Sequence, residues 1–100
     1  MLRIAFISPL YSGQFEQGFS TWVELDGETV RTITSPSIPR AAFGSIPCTA
    51  TIGATTWKTS VFPGDAGSGG FFLRVAKKVR EAESLEVDAP VTVHLDILTA

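Results

Sequence analysis

His94 and Asp96 stand two residues apart in the run VTVHLDI, with Thr92 just before them, and strand alternation puts all three on one face. Such a pair could orient an imidazole for proton transfer. Catalysis would also need a nucleophile and a group to hold the developing charge, and this stretch supplies neither. The plainer reading is a solvated strand face. Ser8, Ser12, Ser45 and Ser60 have no general base assignable to them, so no hydrolase pattern emerges. One His and one Cys give no metal-ligand spacing, and carboxylates alone would hold a hard cation only weakly. No catalytic residue, metal or cofactor is therefore expected.

Three other features could bind a ligand. The segment GDAGSGG, residues 64–70, is glycine-rich like a phosphate loop, but it lacks the Gly-Lys-Ser/Thr ending and precedes a strand instead of opening a helix. It reads as a flexible connector. Arg74, Lys77, Lys78 and Arg80 form the one basic cluster, which could contact phosphates. Glu81, Glu83, Glu86 and Asp88 follow closely and dilute it, so an ordinary salt-bridged helix surface is the expectation. Trp22 and Trp57 could line a barrel mouth, although core packing suits Trp57 better.

The elements that must position these residues follow from periodicity. Phe43 to Val61 reads as a β-hairpin with Gly53-Ala54 as a two-residue loop. That register sets Ile46 opposite Val61, Cys48 opposite Thr59, Ala50 opposite Trp57 and Ile52 opposite Thr55, collecting the apolar residues on one face. Leu2 to Ser8 predicts a strand that stops at Pro9, and Pro9 to Gly18 has loop composition. Phe19 to Leu25 and Glu28 to Thr34 flank Asp26-Gly27, which predicts a second hairpin with a type I′ turn. Ser35 to Arg40, with Pro36 and Pro39, predicts a stiff crossover. Phe71 to Val75 predicts a short strand, residues 76–84 a short helix with Val75, Val79 and Ala82 on one face, and Val91 to Ile97 a closing strand. No internal repeat stands out.

Composition bounds the answer. One hundred residues, 44% hydrophobic and 18% charged, suit a single ordered domain over residues 1–100. The formal net charge of −2 disfavours a broad grip on nucleic acid or anionic membrane. Cys48 is the single cysteine, placed on the apolar hairpin face, which fits a buried thiol in a reducing cytoplasm. The apolar run at Leu2 to Ile7 is too short to span a membrane and lacks the features of an export signal.

The stretch FGSIPCTATIGATTWKTSVFP, followed by a Gly-rich gap and FFLRVAKKVREAESLEVDAPVTVHLDI, closely resembles the bacterial family catalogued as domain of unknown function nineteen-oh-five, over residues 43–97. The resemblance implies a small β-barrel of the double-split type. The strand-helix-strand part is also similar to the swapped-hairpin pattern of AbrB and MazE, in which Arg80 matches an internal arginine. Arg74 departs from that pattern where a proline is usual, as does Asp88-Ala89 where Gly-Asp is usual; Asp tolerates left-handed φ, so the turn can survive.

The expectation is thus an all-β, partly open barrel of six or seven mainly antiparallel strands with one short helix near 76–84. Its role would be that of a non-enzymatic binding or interaction module. The alternatives are a DNA-binding regulator of AbrB type and, third, a small-molecule-binding barrel or an enzyme without a recognisable motif. No membrane partner is expected and nucleic acid is disfavoured. A homodimer remains open, with the closing strand-helix-strand unit folded back on its own chain and not exchanged.

Overall fold

Alternation decides the central hairpin, and the predicted register is the one found. In the computed structural model, which describes residues 1–64 and 70–99, β4 (Ile46–Ile52) and β5 (Thr55–Pro63) pair with Ile46 opposite Val61, Cys48 opposite Thr59, Ala50 opposite Trp57 and Ile52 opposite Thr55. Gly53 adopts φ 58°, a left-handed conformation that favours glycine, and a Cβ there would displace the Glu83 carboxylate. The closing strand also forms as expected. It runs Pro90–Ile97, with Val91, Val93, Leu95 and Ile97 buried.

The N-terminal third departs from expectation twice. β1 (Leu2–Pro9) forms as predicted, but the segment after Leu10 is a strand, β2 (Tyr11–Phe15), which pairs with β3 (Gly18–Glu24) from Tyr11–Trp22 to Phe15–Gly18. None of its side chains is buried, so no hydrophobic alternation marks it. Residues 27–33 are not the second arm of a hairpin but a helix, α1 (Gly27–Ile33). Asp26 keeps extended dihedrals (φ −73°, ψ 167°) and accepts the Thr29 N–H at 2.7 Å, acting as an N-cap instead of a type I′ turn residue. Thr29 and Ile33, one helical turn apart, are both buried, and this packing overrides the β-branched character of the run. Residues 34–41 form no strand, in agreement with the expected crossover, and lead to a 3-10 turn at Ala42–Gly44.

After β5, the glycine-rich connector lies largely outside the described residues; its rims meet, Gly64 N–H donating to the Gly70 carbonyl at 2.7 Å. Then come β6 (Phe71–Arg74), the expected helix α2 (Lys77–Ala82) and the closing strand, β7. Asp88 takes φ 72°, the left-handed geometry anticipated for it.

The described residues therefore form an all-β half-barrel in which seven strands, every pairing antiparallel, run in the order β1-β7-β4-β5-β6-β3-β2. The two ends of that order, β1 and β2, are separated in the chain by Leu10 alone, which is fully buried. The sheet must curl until its edges meet there. Glu24 N–H donates to Ser8 Oγ at 3.0 Å across the join.

The topology contains an internal repeat that the sequence conceals. β1/β2–β3–α1–β4 and β5–β6–α2–β7 are related by a pseudo-two-fold axis. Where β3 and β6 pair, the axis passes through Val23–Leu73, flanked by Trp22–Arg74 and Glu24–Phe72. Two hydrogen bonds obey the same exchange, Leu25 N–H to Phe71 O and Val75 N–H to Thr21 O, each 3.0 Å. A second crossing lies at Ala50–Leu95, flanked by Thr49–Asp96 and Thr51–His94. Along both axes burial is preserved. Residues 21–30 match 71–80 position by position, and 46–52 match 91–97.

Candidate functional site

The expected site residues disperse. Asp96 meets Arg3 at 3.3 Å on the outer face, while His94 stands in register with Ala5 on one side and Thr51 on the other. Ser8 and Ser45 are buried and occupied, their hydroxyls donating to the Pro9 and Ala42 carbonyls. Cys48 is buried on the hairpin's inner face, and the lost solvation of its thiolate pushes the thiol pKa up to about 11. A protonated, buried sulfur is a packing group. Among the described residues no three of His, Cys, Asp and Glu converge as metal ligands.

The basic cluster behaves differently. Arg74, Lys77 and Arg80 line one open cleft of about 590 Å³, with Phe19, Ser20, Thr21, Trp57 and Thr59 on its other sides. Arg80 projects from α2 across to β3. Its Nη1 donates to Thr21 Oγ1 at 3.0 Å, and its guanidinium lies over the Phe19 ring, 5.5 Å from the centroid. Thr21 is itself fixed, its buried hydroxyl donating to the Val75 carbonyl at 2.6 Å. Trp57 is half-buried, packed on the core from the inner hairpin face while also forming a wall of the cleft. Lys78 points away.

The expected salt-bridged helix surface is not what forms. Among the described residues no carboxylate lies within ion-pair distance of Arg74, Lys77, Lys78 or Arg80. Glu83 turns instead to the hairpin corner and accepts from Thr55 Oγ1 at 2.6 Å. The cleft thus holds guanidinium and ammonium groups with no carboxylate paired to them among the described residues; Arg80 is half-buried, where water screens less, while Arg74 and Lys77 are exposed.

The pseudo-two-fold axis supplies an internal control. At the symmetry-related junction the counterparts of Thr59, Thr21 and Arg80 are Phe6, Phe71 and Val30, the first two buried in the core and the third packed against it. That junction is filled with apolar side chains. The other is open and lined with hydroxyls and cations.

A second hollow, about 730 Å³, continues over the outer face of β3 and β6 and shares Ser20 and Arg74 with the first. Its floor is aromatic. Trp22 stacks against Tyr11 with centroids 6.2 Å apart and planes at 23°, and Phe15 tilts against the same indole at 6.0 Å. Phe15 and Trp22 lie down over Gly13, where a Cβ would come within 3.0 and 3.2 Å of their rings. Phe72 and Glu24 complete the wall.

Sequence reasoning found the cations of the first hollow and both tryptophans, but missed Phe19, Ser20, Thr21 and Thr59. Thr21 and Arg80 are 59 positions apart, and no local pattern links them. The aromatics Tyr11, Phe15 and Phe19 did carry a signal in their spacing around Glu16-Gln17, once that pair is recognised as a turn.

Fold and clefts define a small curled antiparallel β half-barrel of internally duplicated design, with a cationic recess open at one of its two related junctions. The chain belongs to the family described as Domain of unknown function (DUF1905), whose model matches residues 7–95. That span contains the cleft and takes in the N-terminal part that the sequence resemblance left out. A search of curated proteins found no match. No helix among the described residues is long and apolar enough to cross a membrane.

Proposed function

We propose that this protein is a non-enzymatic, cytoplasmic binding module whose ligand carries negative charge and enters the cleft between α2 and β5. The observation that supports this best is Arg80. A half-buried guanidinium, oriented by a hydroxyl and an aromatic ring and left without a carboxylate, keeps N–H donors with which to meet an incoming anion. Arg74 and Lys77 reinforce the same field. An enzyme reading has less support, since no nucleophile and base share the recess.

A duplex-DNA regulator is also less favoured. Its grip would need cations spread along a surface, whereas Glu81 on α2 and Glu86 and Asp88 just beyond it are exposed and the chain carries a net charge of −2. Homodimer formation, if it occurs, would use edge or face contacts and leave the cleft free.

The test is thermal unfolding with increasing pyrophosphate at constant ionic strength. The midpoint should rise for wild type and for Lys58→Gln, whose side chain lies on the opposite face of β5, but not for Arg80→Gln. Equal shifts in all three, or none in wild type, would remove the cleft as an anion site.

A further inference from the structure

We infer that the anion is a nucleotide, its phosphate held in the cationic cleft and its base laid on the aromatic floor of the adjoining hollow. This deepens the anion-site reading and rests on it. The two hollows share Ser20 and Arg74, so one ligand can occupy both. Their chemistries are opposite. The first offers Arg80, Arg74 and Lys77 to an anion; the second offers the Trp22 and Phe72 rings together with the Glu24 carboxylate.

Each end constrains the ligand. Glu24 would repel a phosphate, which fixes the anionic group at the Arg80 end. The aromatic floor calls for a planar group, because a stacked ring recovers contact area that a sugar or an alkyl chain would not match. Glu24 accepts one long hydrogen bond, 3.4 Å from Trp22 Nε1, so its oxygens retain capacity for further donors. An exocyclic amine on the planar group would satisfy it, as cytosine N4 does with a carboxylate. A phosphate at one end and an amino-bearing planar ring at the other describe an amino-nucleotide.

Trp22 and Arg74 stand directly opposite each other on neighbouring strands, so the step from stacked ring to bound phosphate is short. The lining cations are Lys77 and Arg80 in the first hollow and Arg74 at the border of the two, and the overall charge is −2. Both facts favour a free nucleotide over a nucleic acid strand, which would bring a phosphate at every residue.

Calorimetry with AMP, UMP, ribose 5-phosphate, pyrophosphate and a short oligo-dA tests this, with the Trp22 indole N–H resonance as a second readout. AMP should bind at least about tenfold more tightly than ribose 5-phosphate and shift the Trp22 signal, the margin expected of one stacked base. Trp22→Leu should abolish that margin without changing ribose 5-phosphate binding, and Glu24→Gln should reduce the preference for AMP over UMP. Should Trp22→Leu fail to fold, Glu24→Gln and the Trp22 resonance in wild type carry the test. Equal affinity for AMP and ribose 5-phosphate, or a silent Trp22 signal, would overturn the nucleotide while leaving the anion site standing. If oligo-dA binds more tightly than AMP at equal phosphate concentration, the free nucleotide is overturned in favour of single-stranded nucleic acid. Failure of pyrophosphate, ribose 5-phosphate and AMP alike would overturn both readings.

Discussion

Thr21 shows how one hydroxyl can serve both fold and site. It donates to the Val75 carbonyl and accepts from Arg80, so it ties β3 to the start of α2 and aims the guanidinium at the same time. Thr21→Val keeps the shape and removes both bonds. Urea unfolding should show a loss of about 1–2 kcal/mol, and pyrophosphate affinity should fall with it; unchanged affinity would mean that Phe19 alone orients Arg80. Cys48 illustrates the opposite case, a chemically capable group kept inert by burial. Its thiol pKa, about 11 when folded, lies above the unfolded value. The contribution it makes is complete below the unfolded pKa and is lost as pH rises through the folded one. Stability should decline above roughly pH 8.5 more steeply in wild type than in Cys48→Ala, and a thiol reagent should label native protein slowly at neutral pH but denatured protein at once. Rapid native labelling would place the sulfur at the surface.

At the scale of elements, what was legible was what one face of a strand dictates. The β4–β5 register could be read because Ile46, Cys48, Ala50 and Ile52 alternate strictly and are all buried. β2 escaped because its side chains all lie on or near the surface, leaving no alternation to detect. Asp26-Gly27 misled for a different reason: the same dipeptide opens a type I′ turn and caps a helix, and only the burial of Thr29 and Ile33 separates the two. The cap can be tested by pH. Hydrogen bonds from the Thr29 side chain and then its backbone N–H hold the Asp26 carboxyl below its usual value of 3.8. Stability from it is therefore present above the unfolded pKa and lost as pH falls through the lower folded one. Asp26→Ala should cost about 0.5–1 kcal/mol at pH 7, the low end because the residue is exposed, and the gap should narrow as pH falls below the usual value of 3.8. A hairpin turn at this position would show no such convergence.

Across the whole molecule, the duplication was invisible because it survives in burial and register while residue types have diverged. Thr21 corresponds to Phe71, Arg80 to Val30 and Glu24 to Arg74, so no alignment of the two halves by residue type would find them. Unequal connections hide it further. The link from α1 to β4 spans residues 34–45, that from α2 to β7 only residues 83–89, which shifts the spacing between equivalent positions along the chain. Divergence at the junction is where the cleft arises, and that is why the candidate site could not be read from either half alone.

The same architecture bears on assembly. A duplicated chain holds both halves of a two-fold object, so the pairing of β3 with β6 and of β4 with β7 can be satisfied without a second copy. A flexible connector between β5 and β6 would be the joint for any exchange of the closing unit, and shortening one that had to span a gap would drive the chain to dimerise. Its rims argue otherwise. Pro63 pairs with Phe71, and Gly64 is hydrogen-bonded to Gly70 at 2.7 Å, so the two ends already stand at hairpin separation. Replacing residues 65–69 with Asn-Gly should therefore close a tight turn in place, and not force the closing unit outward. We expect light scattering to give the same mass before and after the replacement. Thermal stability should rise slightly, by under about 1 kcal/mol, the entropy saved by a shorter loop. A dimer appearing only in the shortened variant would mean that the rims part in solution and that the original connector is what holds β5 and β6 together within one chain.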